Sequence, residues 1–403
     1  MVDFADSPEQ ATFRAEVLGF INDNLPDRLR VTEDDDAAPE GGSSAATDER
    51  ADALAEWRSK LVEKGWIAPA WPTEYGGADL TTMEQYILAE TFTLESAPRL
   101  STPDVGSTLM VHGSDDQKAE FLPNMVSGAA RWCQGYSEPG SGSDLASLQT
   151  RAVRDGDDFV INGQKIWTSG AHLANMMFAM VRTDPEAPKH RGISYLLLSM
   201  ETPGITVRPL VQMSDARGFN EVFFEDVRVP AKNVVGEINR GWYVGATHLD
   251  FERSNIGRSI GHQRELEAFR RLILAEEAAD SGKSTLGRAG SERLDLADRF
   301  VEASIAKTIS QRVISMQARG ELPNYEASMS KLFSSELNQR ISKTATRLLG
   351  LYGALRSFED EHTPVNGRWA TLYLSTVSRT IAAGSSEIQR NVIATRGLGL
   401  PRG

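Results

Sequence analysis

Apolar residues recur every three or four positions near both ends of the chain and every second position in its middle. This predicts helices flanking a block of strands. Ser7-Pro8-Glu9-Gln10 reads as a helix start, with a Ser cap, Pro in the first turn and Gln three residues on. Phe13, Val17, Phe20 and Ile21 follow at helical spacing. Further helical patterns cover about 51–64, 82–94 and 115–127. Trp71-Pro72 and Tyr75-Gly76-Gly77 mark an irregular connection. From about Arg131 to Pro230 the pattern changes to strands, with β-rich runs at 176–181, 193–198, 205–210 and 221–229. Asp155-Gly156 and Asn162-Gly163 predict hairpin turns. After Gly241 the spacing is helical again to about Arg396. Between Val31 and Asp48, a Glu-Asp-Asp-Asp run gives way to Ala, Pro, Gly and Ser, which predicts a mobile acidic loop.

Composition narrows the function classes. With 403 residues, 40% hydrophobic and 25% charged, the chain has room for two or three domains of an ordinary soluble protein. The net charge of −13, without a basic-aromatic stripe, argues against nucleic acid. A polyanionic ligand would need local Arg or Lys against that field. A single cysteine, Cys133, excludes a disulfide framework, and the six His show no metal-ligand spacing. His172, His248 and His262 read as isolated structural residues. No apolar run is long enough to span a bilayer, and the N-terminus lacks a signal pattern, so the expected location is cytoplasmic.

The densest chemistry runs from Gln134 to Gly170: Q-G-Y-S-E-P-G-S-G-S-D, then a polar hairpin ending N-G-Q-K-I-W-T-S-G. Gly140 and Gly142 permit close main-chain approach to a ligand. Ser137, Ser141 and Ser143 supply donors and acceptors without bulk. With Trp167 following, the set suits a flat, electron-poor ring. A Rossmann site is disfavoured, since no G-x-G-x-x-G links a strand to a helix.

These segments resemble the acyl-CoA dehydrogenase family, as does F-N-E-V-F-F-E-D-V-R-V-P at 219–230. The resemblance covers nearly the whole chain and is strongest at 130–260 and 381–397. It implies an α+β fold: an N-terminal helical domain (1–130), a central β-barrel-like domain (131–235) and a C-terminal four-helix-bundle domain (236–403). It implies FAD as cofactor and α,β-dehydrogenation of an acyl-CoA thioester. Ser137, Gly142 and Ser143 would then lie at the flavin, Ser143 also at the substrate, and Trp167 and Ser169 against the isoalloxazine ring.

Most of the family carries its base as the Glu of E-G-T-S-x-I-Q-R. Here the segment reads Ala383-Gly384-Ser385-Ser386-Glu387-Ile388-Gln389-Arg390, and alanine cannot take a proton. A minority of the family places the carboxylate on the helix after the β domain, within L-D-L-E-R. His248-Leu249-Asp250-Phe251-Glu252-Arg253 matches that context, so the resemblance implies Glu252 as base, with Asp250 and Arg253 near the substrate. The Ala383 backbone N–H is expected to donate to the thioester carbonyl. Gly384 and Ser385 are expected at the cofactor diphosphate, and Gly350 and Gly353 resemble glycines that contact a neighbouring subunit's FAD. The family's R-x-x-F-G-x-x-L is missing from 276–293; Arg293 and Arg299 are the candidates to replace its Arg. Expected partners are an electron-transfer flavoprotein and other chains of a homotetramer or heterotetramer. Two alternatives stay open: a non-catalytic or half-catalytic subunit of a mixed tetramer, and an oxidase or lyase on the same flavin fold.

Overall fold

The computed structural model describes residues 6–30, 48–253, 257–279, 290–356 and 362–401; within these, the side chains of 48, 249–253, 257, 258, 276–279, 290 and 292 are left undescribed. The acidic segment expected to be a mobile loop lies outside the described residues except for Asp48, which opens a helix. Five helices come first: α1 (Pro8–Asn24), α2 (Asp48–Glu63), α3 (Thr82–Leu94), α4 (Val105–His112) and α5 (Asp115–Ser127). Seven strands follow: β1 (Trp132–Gly135), β2 (Arg151–Asp155), β3 (Asp158–Ser169), β4 (Met176–Arg182), β5 (Ile193–Ser199), β6 (Ile205–Leu210) and β7 (Phe219–Pro230). Then come α6 (Gly241–Arg253), α7 (Gly257–Ala279), α8 (Gly290–Ala318), α9 (Tyr325–Leu348), α10 (Arg368–Ser375) and α11 (Ser386–Val392). The α+β order of helices, sheet and helices is the expected one. No helix of the described residues is long and apolar enough to cross a membrane.

The chain divides into two compact units, residues 1–61, 79–100 and 253–403 in one and 62–78 and 101–252 in the other. In the first, α1 starts at the expected capping box, where Ser7 accepts from the Gln10 backbone and Gln10 from the Ser7 backbone. Trp57 is fully buried between Phe20 and Phe92, ring centroids 5.4 and 5.7 Å away. The Glu90 carboxylate on α3 receives Arg14 of α1 (2.9 Å), Lys307 of α8 (2.8 Å) and the Tyr86 hydroxyl (2.9 Å). Three donors on one buried carboxylate offset its desolvation and fix the three helices to one another. Phe269, Leu337, Ile341 and Trp369 form the core among α7, α9 and α10.

The second unit holds a seven-stranded sheet in the order β1-β4-β2-β3-β7-β6, with β5 also on β4. Val222, Phe224, Val227 and Val229 of β7 face its core. The Asp155-Gly156 hairpin forms, with Asp155 opposite Asp158. Asn162-Gly163 does not turn the chain; it sits inside β3 at a register shift. Gly163 has φ +148°, and a Cβ there would lie 2.7 Å from Thr150 Cα. An Asn-Gly pair serves a bulge with close backbone approach as well as it serves a turn.

Candidate functional site

The loop after β1 is held from below by a buried ion pair. Glu138 accepts from the backbone N–H of Gln149 (2.6 Å) and Thr150 (2.9 Å) and from Lys165 Nζ (2.8 Å). Lys165, 0% exposed, also donates to the Tyr136 carbonyl at 3.1 Å. Ile166 N–H donates to the Ser137 carbonyl at 2.9 Å, so 136, 137 and 138 are all fastened to 165–166. Burial pushes the Lys165 ammonium down to about 8, while the Glu138 charge opposes that shift. Burial would raise the Glu138 carboxyl, but Lys165 and the backbone donors hold it below the usual range. The pair is therefore ionised at neutral pH. Arg182 completes the frame by donating to the carbonyls of Ala146 (2.6 Å), Arg191 (3.0 Å) and Leu148 (3.3 Å). Sequence reasoning missed this anchor. Its signal was a lysine at an inward-facing position of β3, two residues before Trp167.

With the loop fixed, Ser141 is engaged internally, donating to the Asp144 and Leu145 carbonyls. Gly142, Ser143 and Ser169 are exposed, and Ser137 is half-buried. A Cβ at Gly140 or Gly142 would meet no protein atom within 4 Å, so the protein leaves open space there. Trp167 is 59% exposed with φ +61° and touches Phe219 edge-on at 6.2 Å. A bulky side chain in this backbone region costs about 1–3 kcal/mol, which the neighbouring structure must offset. An exposed ring, open backbone and two exposed hydroxyls fit a flat heterocycle such as an isoalloxazine.

Helix α6 rests on the same unit. A Cβ at Gly245 would fall 1.6 Å from the Met180 Cε, so a side chain there requires that methyl to move. One turn later His248, 2% exposed, packs against Phe178 and Tyr136, ring centroids 4.9 and 5.8 Å away, and shares a hydrogen bond with the Thr108 hydroxyl at 3.3 Å. It is structural, as expected. Burial pushes its imidazole down to about 4. The folded pKa is below the unfolded value, so stability is intact above about pH 6.5 and falls as pH drops toward 4. Between pH 7.5 and 5 the wild type should lose about 2 kcal/mol more than His248→Asn, read from urea unfolding. Parallel pH profiles would contradict a neutral buried imidazole. Asp250, Glu252 and Arg253 lie in the last turn of α6; their side chains lie outside the described residues.

The 383–390 segment belongs to the other unit. Ala383 (φ +53°) and Gly384 (φ +83°) are consecutive left-handed residues. Gln389 donates to both their carbonyls (3.1 and 3.2 Å), and Lys331 donates to that of Gly384 (2.7 Å). Among the described residues, the Ala383 N–H meets no acceptor. Ser385 caps α11 by accepting from Ile388 N–H at 3.4 Å. Glu387 is exposed, and its own backbone amide and Ser385 keep its carboxyl below the usual range, which suits a solvated carboxylate. A cavity of about 490 Å³ opens beside Ser386 and Arg390, with Arg340 and Lys343 on its wall. The Ser386 hydroxyl is buried and finds no partner among the described residues. Glu336 and Glu387 share that wall, and Arg390 is paired with Glu336 at 2.6 Å, so the cavity is of mixed charge.

The remaining assignments are placed as follows. Gly350 (φ +58°) is exposed in a short 3₁₀ stretch, Gly350–Ala354. Gly353 is buried, and a Cβ there would fall 2.4 Å from the Thr346 carbonyl, so the chain's own packing already requires glycine. Arg299 pairs with Glu302 at 2.9 Å, and Arg340 shares that carboxylate. Arg293 is exposed. The Cys133 thiol is buried and pushed up to about 12 by desolvation.

Comparison with known proteins bears on the family of the chain. Residues 7–129, 133–227 and 239–398 match the N-terminal, middle and C-terminal domain models of acyl-CoA dehydrogenase. The chain is 36% identical over 400 residues to acyl-CoA dehydrogenase IpdE1 of Mycobacterium tuberculosis, covering 97% of each. It is 36% identical over 359 residues to acyl-CoA dehydrogenase FadE26 of the same organism, covering 85% of this chain and 87% of the relative. Among solved structures, the Tcur3481-Tcur3483 steroid ACAD superposes with TM-score 0.82 at 33% identity over the full length of both chains. The ChsE4-ChsE5 complex from Mycobacterium tuberculosis gives TM-score 0.79 at 32% identity, again over both full lengths.

Proposed function

The chain belongs to the acyl-CoA dehydrogenase family, and from that premise we propose that it dehydrogenates an acyl-CoA thioester with Glu252 as its base. The cofactor is FAD; when bound, it supplies the hydride acceptor for the β carbon. The protein does the rest. Glu252 takes the α-proton onto its carboxylate. The Ala383 N–H donates to the thioester oxygen as negative charge builds there. A preorganised donor of this kind is worth about 10²–10³ in rate. Trp167 covers the ring, while Ser137 and Ser143 line its edge. Gly142, Ser169, Gly384, Ser385, Gly350 and Gly353 are assigned to the cofactor, and Asp250 and Arg253 to the substrate. The observation that carries this reading is the left-handed Ala383 turn, whose N–H meets no acceptor among the described residues and whose side chain is no carboxylate.

The acyl group is proposed to be bulky and ring-bearing, on the strength of the steroid ACAD among the structural relatives. A second reading has support of its own. Tcur3481-Tcur3483 and ChsE4-ChsE5 each pair two named components, and this chain lacks R-x-x-F-G-x-x-L. Both favour a mixed assembly in which a second chain type completes the FAD site. Electrons are proposed to leave to an electron-transfer flavoprotein.

Anaerobic titration of the yellow protein with straight-chain, branched and steroid-side-chain acyl-CoA esters tests the reading. One class should bleach the flavin band stoichiometrically. Absence of bleaching by every ester, with the partner chain present, would refute it. A chain that holds FAD only after a partner is added would select the mixed assembly.

A further inference from the structure

We propose that Asn220, held by His172, is a positioning residue that acts through Trp167. The inference rests on the reading that Trp167 covers the cofactor ring. It concerns how the protein keeps that ring in place, which neither family membership nor the base assignment specifies.

The strand carrying Trp167 is out of register with its neighbour. Lys165 stands opposite Val222 and Thr168 opposite Asn220, so Ile166 and Trp167 together face Glu221 alone. Two residues against one make a bulge. The bulge is what lets Trp167 take a positive φ and stand out from the sheet. A bulge leaves its extra residue unpaired and locally disrupts the ladder, so side-chain contacts on either flank help to fix it. On the N-terminal flank that contact is the Lys165–Glu138 pair.

On the C-terminal flank it is Asn220. Its side chain is 0% exposed. Asn220 Nδ2 donates to the Thr168 carbonyl at 2.9 Å. Its Oδ1 lies 3.1 Å from His172 Nδ1. An amide oxygen only accepts, so His172 carries its proton on Nδ1 and donates. Both ends of the buried amide are thus engaged, and neither can rotate without losing a partner. The Thr168 hydroxyl is buried without a partner among the described residues, so that side chain does not hold the strand. Asn220 crosses 52 positions of sequence to hold the carbonyl immediately after Trp167. Core packing alone would favour an apolar residue at this position. A buried amide engaged at both ends beside a strained, exposed tryptophan is a device for orientation.

Asn220→Asp tests this. It preserves the shape and the acceptor toward His172 but sets an oxygen against the Thr168 carbonyl. Trp167 is the one exposed tryptophan among the seven, so acrylamide quenching in the full-length protein reports mainly on it. The variant should raise the quenching constant, and Trp167→Phe should abolish that difference. In the holoenzyme, Asn220→Asp should slow flavin bleaching by saturating acyl-CoA about tenfold, with KM little changed. In the Trp167→Phe background the same substitution should cost nothing further. The same fold loss in both backgrounds, or unchanged quenching, would overturn the proposal. Asn220→Ala, which removes the donor without adding charge, takes its place if the first variant does not fold. The quenching arm needs no substrate, so failure of the acyl-CoA reading would show in the bleaching arm alone.

Discussion

Glu252→Gln is expected to leave the protein folded and yellow while slowing flavin bleaching by at least about a hundredfold, the lower end of what a positioned general base contributes. Glutamine keeps the size and hydrogen-bonding reach of the side chain but cannot accept the α-proton. No substitute stands at the family's commoner location, where Ala383 offers only a methyl group. Glu387 lies four residues on, in the first turn of α11, and is exposed. The measurement is single-turnover absorbance at saturating ester, with wild type and variant in the same assembly. FAD content serves as the control, because a loss of cofactor would mimic a loss of base. A bleaching rate equal to wild type would remove Glu252 from the mechanism. A lower rate explained wholly by weaker ester binding would make it a substrate ligand instead.

Lys165→Met is expected to be the most destabilising single change in the β unit. Removing one partner of a buried pair costs about 3–5 kcal/mol, because the other charge stays buried without compensation. The two backbone donors on Glu138 remain, yet its ammonium partner is gone. A loss of that size lowers Tm by about 10 °C. The paired change Glu138→Gln with Lys165→Met should recover most of the loss, since neither buried charge then exists. Thermal unfolding of the four proteins completes the cycle. Additive losses would show that the two residues do not act as a pair. A single variant as stable as wild type would show that water reaches Glu138.

Local elements were legible where local physics decides them. Helices α3 and α5 start and stop where capping residues and periodicity place them. The Ser7–Gln10 box is likewise contained within four residues. The family's residue order points to 134–170 as the flavin loop and to Ala383 as the position where most members carry their base. Asn162-Gly163 misled because the same backbone freedom serves turns and bulges. Lys165 passed unnoticed because its partner lies 27 positions away. His172 was read as isolated, whereas it supports Asn220.

The order of residues alone thus determined which elements form and which side chains are available for chemistry. Those outcomes depend on contacts within a turn or two of chain. Tertiary structure alone decided that Glu138 and Lys165 meet in the interior and that Asn220 holds the strand behind Trp167. It also decided that Trp167 stands exposed in a left-handed conformation. A buried charge or amide is tolerable only when a distant segment supplies its partner. Such pairings are fixed by the packing of strands, not by the spacing of residues.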